Sequence, residues 1–147
     1  MEAIEQIDIL LVEDNPVDAE LTMLGLKDGH VANRVIWVTD GQQALDYIFR
    51  RGPYSTRDDP GPRLMLLDLK MPRVDGIEVL QAIKSDETTR NIPVVVMTSS
   101  QEENDVAKSY ALGANSYVVK PVDFTSLAEV AKQAGYYWLA INRVVSR

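Results

Sequence analysis

The sequence predicts an α/β domain: a five-stranded parallel sheet, doubly wound, with five helices on its two faces. Three observations predict it. Short β-branched runs alternate five times with amphipathic stretches. Several runs are unbroken apolar strings, such as Ile9-Leu-Leu-Val12, Val35-Ile-Trp-Val38 and Val94-Val-Val-Met97. Strands buried on both faces read this way, whereas half-exposed strands alternate. Helix-start signals also recur between the runs.

Taken in order, the predicted strands are residues 7–12, 34–38, 64–68, 93–98 and 116–119. The first helix opens at Asn15 as N-cap with Pro16 in the first turn, and Leu21 and Leu24 follow at helical spacing. Asp40-Gly-Gln-Gln43 opens the second, ahead of Ala44, Leu45 and Ile48. Asp75-Gly-Ile-Glu78 opens the third, ahead of Val79, Leu80 and Ile83. Ser100-Gln-Glu-Glu103 and Ser126-Leu-Ala-Glu129 are the expected starts of the fourth and fifth, each with a capping-box pattern. The last helix looks long: Leu127, Val130, Ala131, Ala134, Trp138, Ile141 and Val145 share helical spacing. One stretch breaks the rhythm. Residues 52–63 hold three prolines and two glycines, so they form a loop, either a tolerated surface insertion or a functional one.

Composition excludes several function classes. At 147 residues and 16.4 kDa the chain is one domain with room for a sizeable core. A net charge of −7 argues against nucleic acid as a partner. The absence of cysteine removes disulfides, thiol catalysis and thiolate metal sites, and the single histidine, His30, removes a His-rich zinc centre. The longest apolar run is six residues (136–141), far short of a membrane span, and the acidic N-terminus is unlike a signal peptide. A cytoplasmic location is expected.

The chemistry gathers at strand ends. Glu13 and Asp14 follow the first strand, and Asp68 ends the third. In an open parallel sheet, ligands bind beyond the carboxyl ends of the strands. If the first and third strands are neighbours, three carboxylates converge. They repel one another by about 3 kcal/mol per pair at an effective dielectric of 20, and so require a proton or a cation. With oxygen ligands only, Mg²⁺ fits best. The fourth strand ends in Thr98-Ser99-Ser100 and the fifth is followed by Lys120-Pro121. Thr98 is the better hydroxyl candidate because the serines suit capping. A lysine beside such a cluster can hold a phosphoryl oxygen, and a cis bond before Pro121 is one way to fix its direction.

Glu13-Asp14, Asp68, Thr98 and Lys120-Pro121, set at the ends of successive strands, resemble the receiver domain of two-component response regulators. So do Leu11-Val-Glu-Asp14, Leu66-Leu-Asp-Leu-Lys-Met-Pro72 with Asp75-Gly76, and Leu112-Gly-Ala-Asn-Ser-Tyr117. The resemblance spans roughly residues 5–142 of the sequence. It implies a flavodoxin-like sheet with strand order 2-1-3-4-5. Asp68 would be the phosphoacceptor for a histidine kinase. Mg²⁺ would be held by Asp14, Asp68 and the Lys70 carbonyl, with Glu13 acting through water. Lys120 would contact the phosphoryl group, Thr98 would move toward it, and Tyr117 would rotate inward in response. The protein would be a switch that catalyses only its own phosphorylation and dephosphorylation.

A receiver domain over residues 5–145 with no output domain is expected, so the signal would leave by contact with an unknown downstream protein or by onward phosphotransfer. The Pro-rich insertion, the missing output domain and the aromatic last helix are similar to the small regulators that partner phytochrome-type kinases. Tyr137, Trp138 and Ile141 are candidates for a homodimer contact; the alternative is that Trp138 folds back on its own domain. Three other functions share parts of this pattern. A flavodoxin-like electron carrier would need a phosphate loop where this chain has the acidic Glu13-Asp-Asn-Pro-Val-Asp18. A Mg²⁺-dependent phosphatase would place an acid where Lys70 stands. The third is a receiver that binds partners without phosphorylation.

Overall fold

The computed structural model describes residues 8–30 and 34–141. Ile7, the Ile141 side chain, Val145 and the ends of the expected domain lie outside the described residues. Five strands form one parallel sheet: β1 (Ile9–Val12), β2 (Val35–Val38), β3 (Leu64–Leu67), β4 (Val94–Thr98) and β5 (Ser116–Val119). Their spatial order is β2-β1-β3-β4-β5. The helices are α1 (Pro16–Asp28), α2 (Gly41–Ile48), α3 (Gly76–Ser85), α4 (Glu103–Ala111) and α5 (Phe124–Tyr136).

The apolar strings of the central strands divide their side chains between two cores. Leu10, Val12, Met65, Leu67, Val94 and Val96 face α2 and α3, where Ala44, Ile48, Val79, Leu80 and Ile83 meet them. Ile9, Leu11, Leu64, Leu66 and Val95 face the other way, onto Ala19 and Leu26 of α1. Leu127 and Ala131 of α5 pack with Met97 beside them. This is why β1, β3 and β4 read as continuous apolar runs: both faces are covered.

Three of the five predicted helix starts match. Asn15 accepts from the N–H groups of Val17 and Asp18, Asp40 from Gln43, and Asp75 from Glu78. Two do not match. The N-cap of α5 is Asp123, which accepts from the Ser126 N–H, so the helix begins one turn before the expected Ser126. At α4 the N-cap residue is Glu102 with no side-chain cap of its own; Ser100 stands two residues earlier, its hydroxyl donating to Asp105 at 2.5 Å and accepting from the Glu102 N–H at 3.4 Å.

The last helix also differs from the expected single long one. After Tyr136 the chain widens into π-helical turns over Tyr137–Ile141. The Leu139 carbonyl accepts from Arg63 at 3.0 Å, and Trp138 and Leu139 pack on the α1 side of the sheet. Trp138 is therefore half buried against its own domain, and Tyr137, beside it edge-to-face, remains 47 % exposed.

The Pro-rich insertion is tied down. Arg57 pairs with Asp59 at 2.7 Å, donates to the Tyr47 and Ile48 carbonyls at the end of α2, and lies 4.4 Å over the Tyr47 ring. Arg50 adds a bond to the Asp59 carbonyl at 2.6 Å.

Candidate functional site

The site is built where strands stop. Parallel pairing of β1 with β3 sets Val12 opposite Leu67. The ladder runs one step further, with the Asp68 N–H donating to the Val12 carbonyl at 3.0 Å and the Glu13 N–H to the Val38 carbonyl at 3.1 Å. Glu13 and Asp68 thus leave adjacent strands side by side, 3 % and 7 % exposed. On the other flank β4 pairs with β5, and the Lys120 N–H donates to the Thr98 carbonyl at 2.7 Å.

From there the Lys120 ammonium reaches across β4. It meets Glu13 Oε1 at 2.5 Å, Asp68 Oδ2 at 2.9 Å and Asp18 Oδ2 at 3.0 Å. Oxygens of Glu13, Asp14 and Asp68 all lie within 4.8 Å of one another, with Asp14 exposed at the mouth. Three carboxylates around one ammonium, with Asp14 beside them, leave an excess of negative charge, and protonation states shift in response. Burial pushes the Glu13 carboxyl up to about 7 against the pull of Lys120. Burial acts upward on Asp68 too, yet the hydrogen bond and charge of Lys120 outweigh it and hold Asp68 below the usual carboxylate range. Lys120 itself is raised: burial works against its charge, and Glu13 and Asp68 overcome that.

The rim is fixed from several sides. The Lys70 N–H donates to Asp68 Oδ1 at 3.3 Å, turning that backbone back over the carboxylate. A Cβ on Gly76 would sit 2.2 Å from the Asp68 carbonyl, so the start of α3 reaches the strand end only because residue 76 has no side chain. Thr98 Oγ1 is buried without a hydrogen-bond partner. The Tyr117 hydroxyl donates to the Ser100 carbonyl, two residues beyond Thr98, at 3.0 Å. Such a site can bind a hard cation, present one carboxylate oxygen as a nucleophile, and offer an ammonium and a hydroxyl to a phosphoryl group.

The model of the response regulator receiver domain matches residues 9–132. This chain belongs to that family. The receiver is 41% identical over 145 residues to the probable methanogenesis regulatory protein FilR2 of Methanothrix harundinacea, covering 97% of this chain and 90% of that one. It is 38% identical over 131 residues to the response regulator Rcp1 of Synechocystis, covering 89% and 88%. Rcp1 has been solved in an Mn²⁺-bound form, which superposes with a TM-score of 0.88 at 36% identity over 95% of this chain and 99% of that one. The phosphorylated cyanobacterial phytochrome response regulator RcpA superposes with a TM-score of 0.89 at 38% identity, over 97% and 100%. The receiver is thus a signalling module of the two-component type with a phosphoacceptor role.

Of the residues expected from the sequence, the receiver fold brings Glu13, Asp14, Asp68 and Lys120 into one cluster, with Thr98 and Tyr117 on its β4–β5 side. Pro121 is a correction. Among the described residues there is no cis peptide bond, so Lys120–Pro121 is trans. Trans is the favoured X–Pro form, and three carboxylates already fix the direction of the lysine.

Sequence reasoning missed Asp18, Trp37 and Arg73. Asp18 reads as an acid that suits a helix N-terminus, and its partner is 102 residues away. The Trp37 indole N–H donates to the Glu13 carbonyl at 2.8 Å. Arg73 grips the two oxygens of Asp40 at 3.1 and 3.0 Å, tying the loop after Asp68 to the start of α2. No local signal marks the last two, since both join different strand–helix units.

Proposed function

We propose that this receiver takes a phosphoryl group on Asp68 from a histidine kinase and passes the signal on by protein contact or onward phosphotransfer. The observation that carries the reading is the Lys120 ammonium held 2.9 Å from Asp68 beside the Glu13 and Asp14 carboxylates. An Asp68 oxygen attacks phosphorus, the bond from phosphorus to the kinase imidazole nitrogen breaks, and its electron pair leaves with the imidazole. Asp68 suits this role because it is kept ionised. Lys120 meets the charge on the transferred group, and the unpartnered Thr98 hydroxyl donates to it once Thr98 moves inward.

The donor set is all oxygen and carries excess negative charge, which fits a hard divalent cation. Asp14, Asp68 and the Lys70 carbonyl would hold Mg²⁺, with Glu13 acting through water. When bound, the cation neutralises charge on the phosphoryl oxygens. Tyr117 reports the change: its hydroxyl leaves the Ser100 carbonyl as Thr98 is drawn toward the phosphoryl group.

The reading extends to a stand-alone cytoplasmic regulator of a phytochrome-type kinase. Its support is the match to Rcp1 and RcpA along 88% and 100% of their lengths, and that among the described residues no helix is long and apolar enough to cross a membrane. Self-association through the outer face of the last helix, where Tyr136 and Tyr137 are half exposed, belongs to the same proposal.

Intact mass after incubation with Mg²⁺ and a small-molecule phosphodonor tests it. One phosphoryl group is expected on the wild type and none on Asp68→Asn. A fully phosphorylated Asp68→Asn protein would overturn the assignment. Transfer from a phytochrome-type kinase, compared with an unrelated kinase, tests the partner.

A further inference from the structure

An ammonium has three N–H donors, and on Lys120 the carboxylates of Glu13, Asp68 and Asp18 take all three. With 7 % of its side chain exposed, Lys120 cannot bind an arriving phosphoryl group without giving up one of them. Asp68 is the acceptor and stays in place. Glu13 is 3 % exposed, so letting go would leave a buried carboxyl without its ammonium and with no water to take its place. The Asp18 side chain is 25 % exposed, on the first turn of α1. Water and the helix N-terminus stabilise its charge once it lets go.

We propose that Asp18 is the resting counter-ion of Lys120, released as the phosphoryl group arrives, and so a positioning residue that limits how fast Asp68 is phosphorylated. The proposal rests on the reading of Asp68 as the acceptor. Its second arm is charge. Asp18 and Asp68 touch the same nitrogen at 3.0 and 2.9 Å, so their oxygens are at most about 6 Å apart. At that distance one unit charge slows the approach of another about threefold even at the dielectric of water, and a doubly charged phosphoryl donor about tenfold. The same charge favours a divalent cation, so it strengthens metal binding while it slows the anion.

Opposite effects on the two ligands make the test. Asp18→Asn and wild type are compared in full-length protein by the rate of phosphorylation with acetyl phosphate at saturating Mg²⁺, and by the Mg²⁺ dissociation constant from calorimetry. The expected result is phosphorylation about three- to tenfold faster and Mg²⁺ binding weaker by a similar factor. Asp18→Glu, which restores the charge, should bring both back toward wild type. A variant that is merely misfolded would lose on both counts, and Asp18→Ser gives a second neutral side chain should Asn fold poorly. Unchanged or slower phosphorylation of both neutral variants, with wild type modified normally on Asp68, overturns the role of Asp18. Failure of wild type to be modified on Asp68 overturns the proposed function itself, and this inference with it.

Discussion

Replacing Lys120 by methionine keeps its length and most of its packing but removes the charge. In the absence of a metal, Glu13 and Asp68 then face each other almost fully buried, while the more exposed Asp18 can turn to water. A contact near 3 Å at an effective dielectric of 20 is worth about 5 kcal/mol, and part of that returns because the ammonium no longer has to be dehydrated. Removing one member of a buried pair costs about 3–5 kcal/mol. Relief by protonation of Glu13 and by Asp18 places the expected loss near the low end, about 3 kcal/mol at pH 8. That is a large share of a domain stability of about 5–15 kcal/mol.

The sign with pH follows. Glu13 is already raised in wild type, but without Lys120 it rises further and Asp68 loses the contact that holds it low, so the folded variant binds more protons than folded wild type and loses more stability as pH rises. The deficit against wild type therefore shrinks as pH falls from about 8 toward 5. Urea unfolding in the presence of a chelator, at both pH values, measures it. Added Mg²⁺ should then recover more stability in the variant than in wild type, because the cation supplies the missing positive charge. A deficit under about 1 kcal/mol, or one equal at both pH values, would refute the reasoning and mean that water already screens the cluster.

Three further outcomes are expected. Gly76→Ala puts a Cβ 2.2 Å from the Asp68 carbonyl and 2.6 Å from the Leu69 Cα; backbone on both sides must yield, so a loss of about 1–3 kcal/mol in thermal unfolding is expected, with slower phosphorylation. Trp37→Phe removes the 2.8 Å bond to the Glu13 carbonyl. It should cost about 1 kcal/mol and weaken Mg²⁺ binding in calorimetry. Burial works to raise Asp59, but Arg57 and the Gly61 N–H hold it below the usual carboxylate range. Its contribution is present above the unfolded pKa and is lost as pH falls through the folded one. Asp59→Asn should then cost about 1–2 kcal/mol at neutral pH, a deficit that fades through the carboxylate range in acid unfolding curves.

Strand identity and the cluster of Glu13, Asp14, Asp68 and Lys120 were legible because both are marked locally. An apolar string such as Val94-Val-Val-Met97 is buried on both faces in the middle of the sheet, whereas Val35-Ile-Trp-Val38, read the same way, lies on the edge strand β2 and leaves Trp37 37 % exposed; Asp68 or Lys120 is marked by following a strand directly. Helix starts were legible where a side chain caps its own turn, as at Asn15, Asp40 and Asp75. They failed at the last two helices, where the expected serine stands near the cap rather than at it: Ser100 precedes the N-cap Glu102 by two residues, and Asp123, three residues before Ser126, caps α5.

By itself, then, the sequence determined the parallel αβ alternation, the acidic strand ends and the lysine that answers them, because burial pattern and residue chemistry need no knowledge of neighbours. Only the tertiary structure decided which groups share a bond. Asp18 joins Lys120, Trp37 holds Glu13, Arg73 grips Asp40, and Arg63 bonds the Leu139 carbonyl where Trp138 packs, half buried, on its own domain. Each of these joins residues from separate strand–helix units. Their meeting depends on the strand order β2-β1-β3-β4-β5, a property of the assembled sheet that no single segment carries.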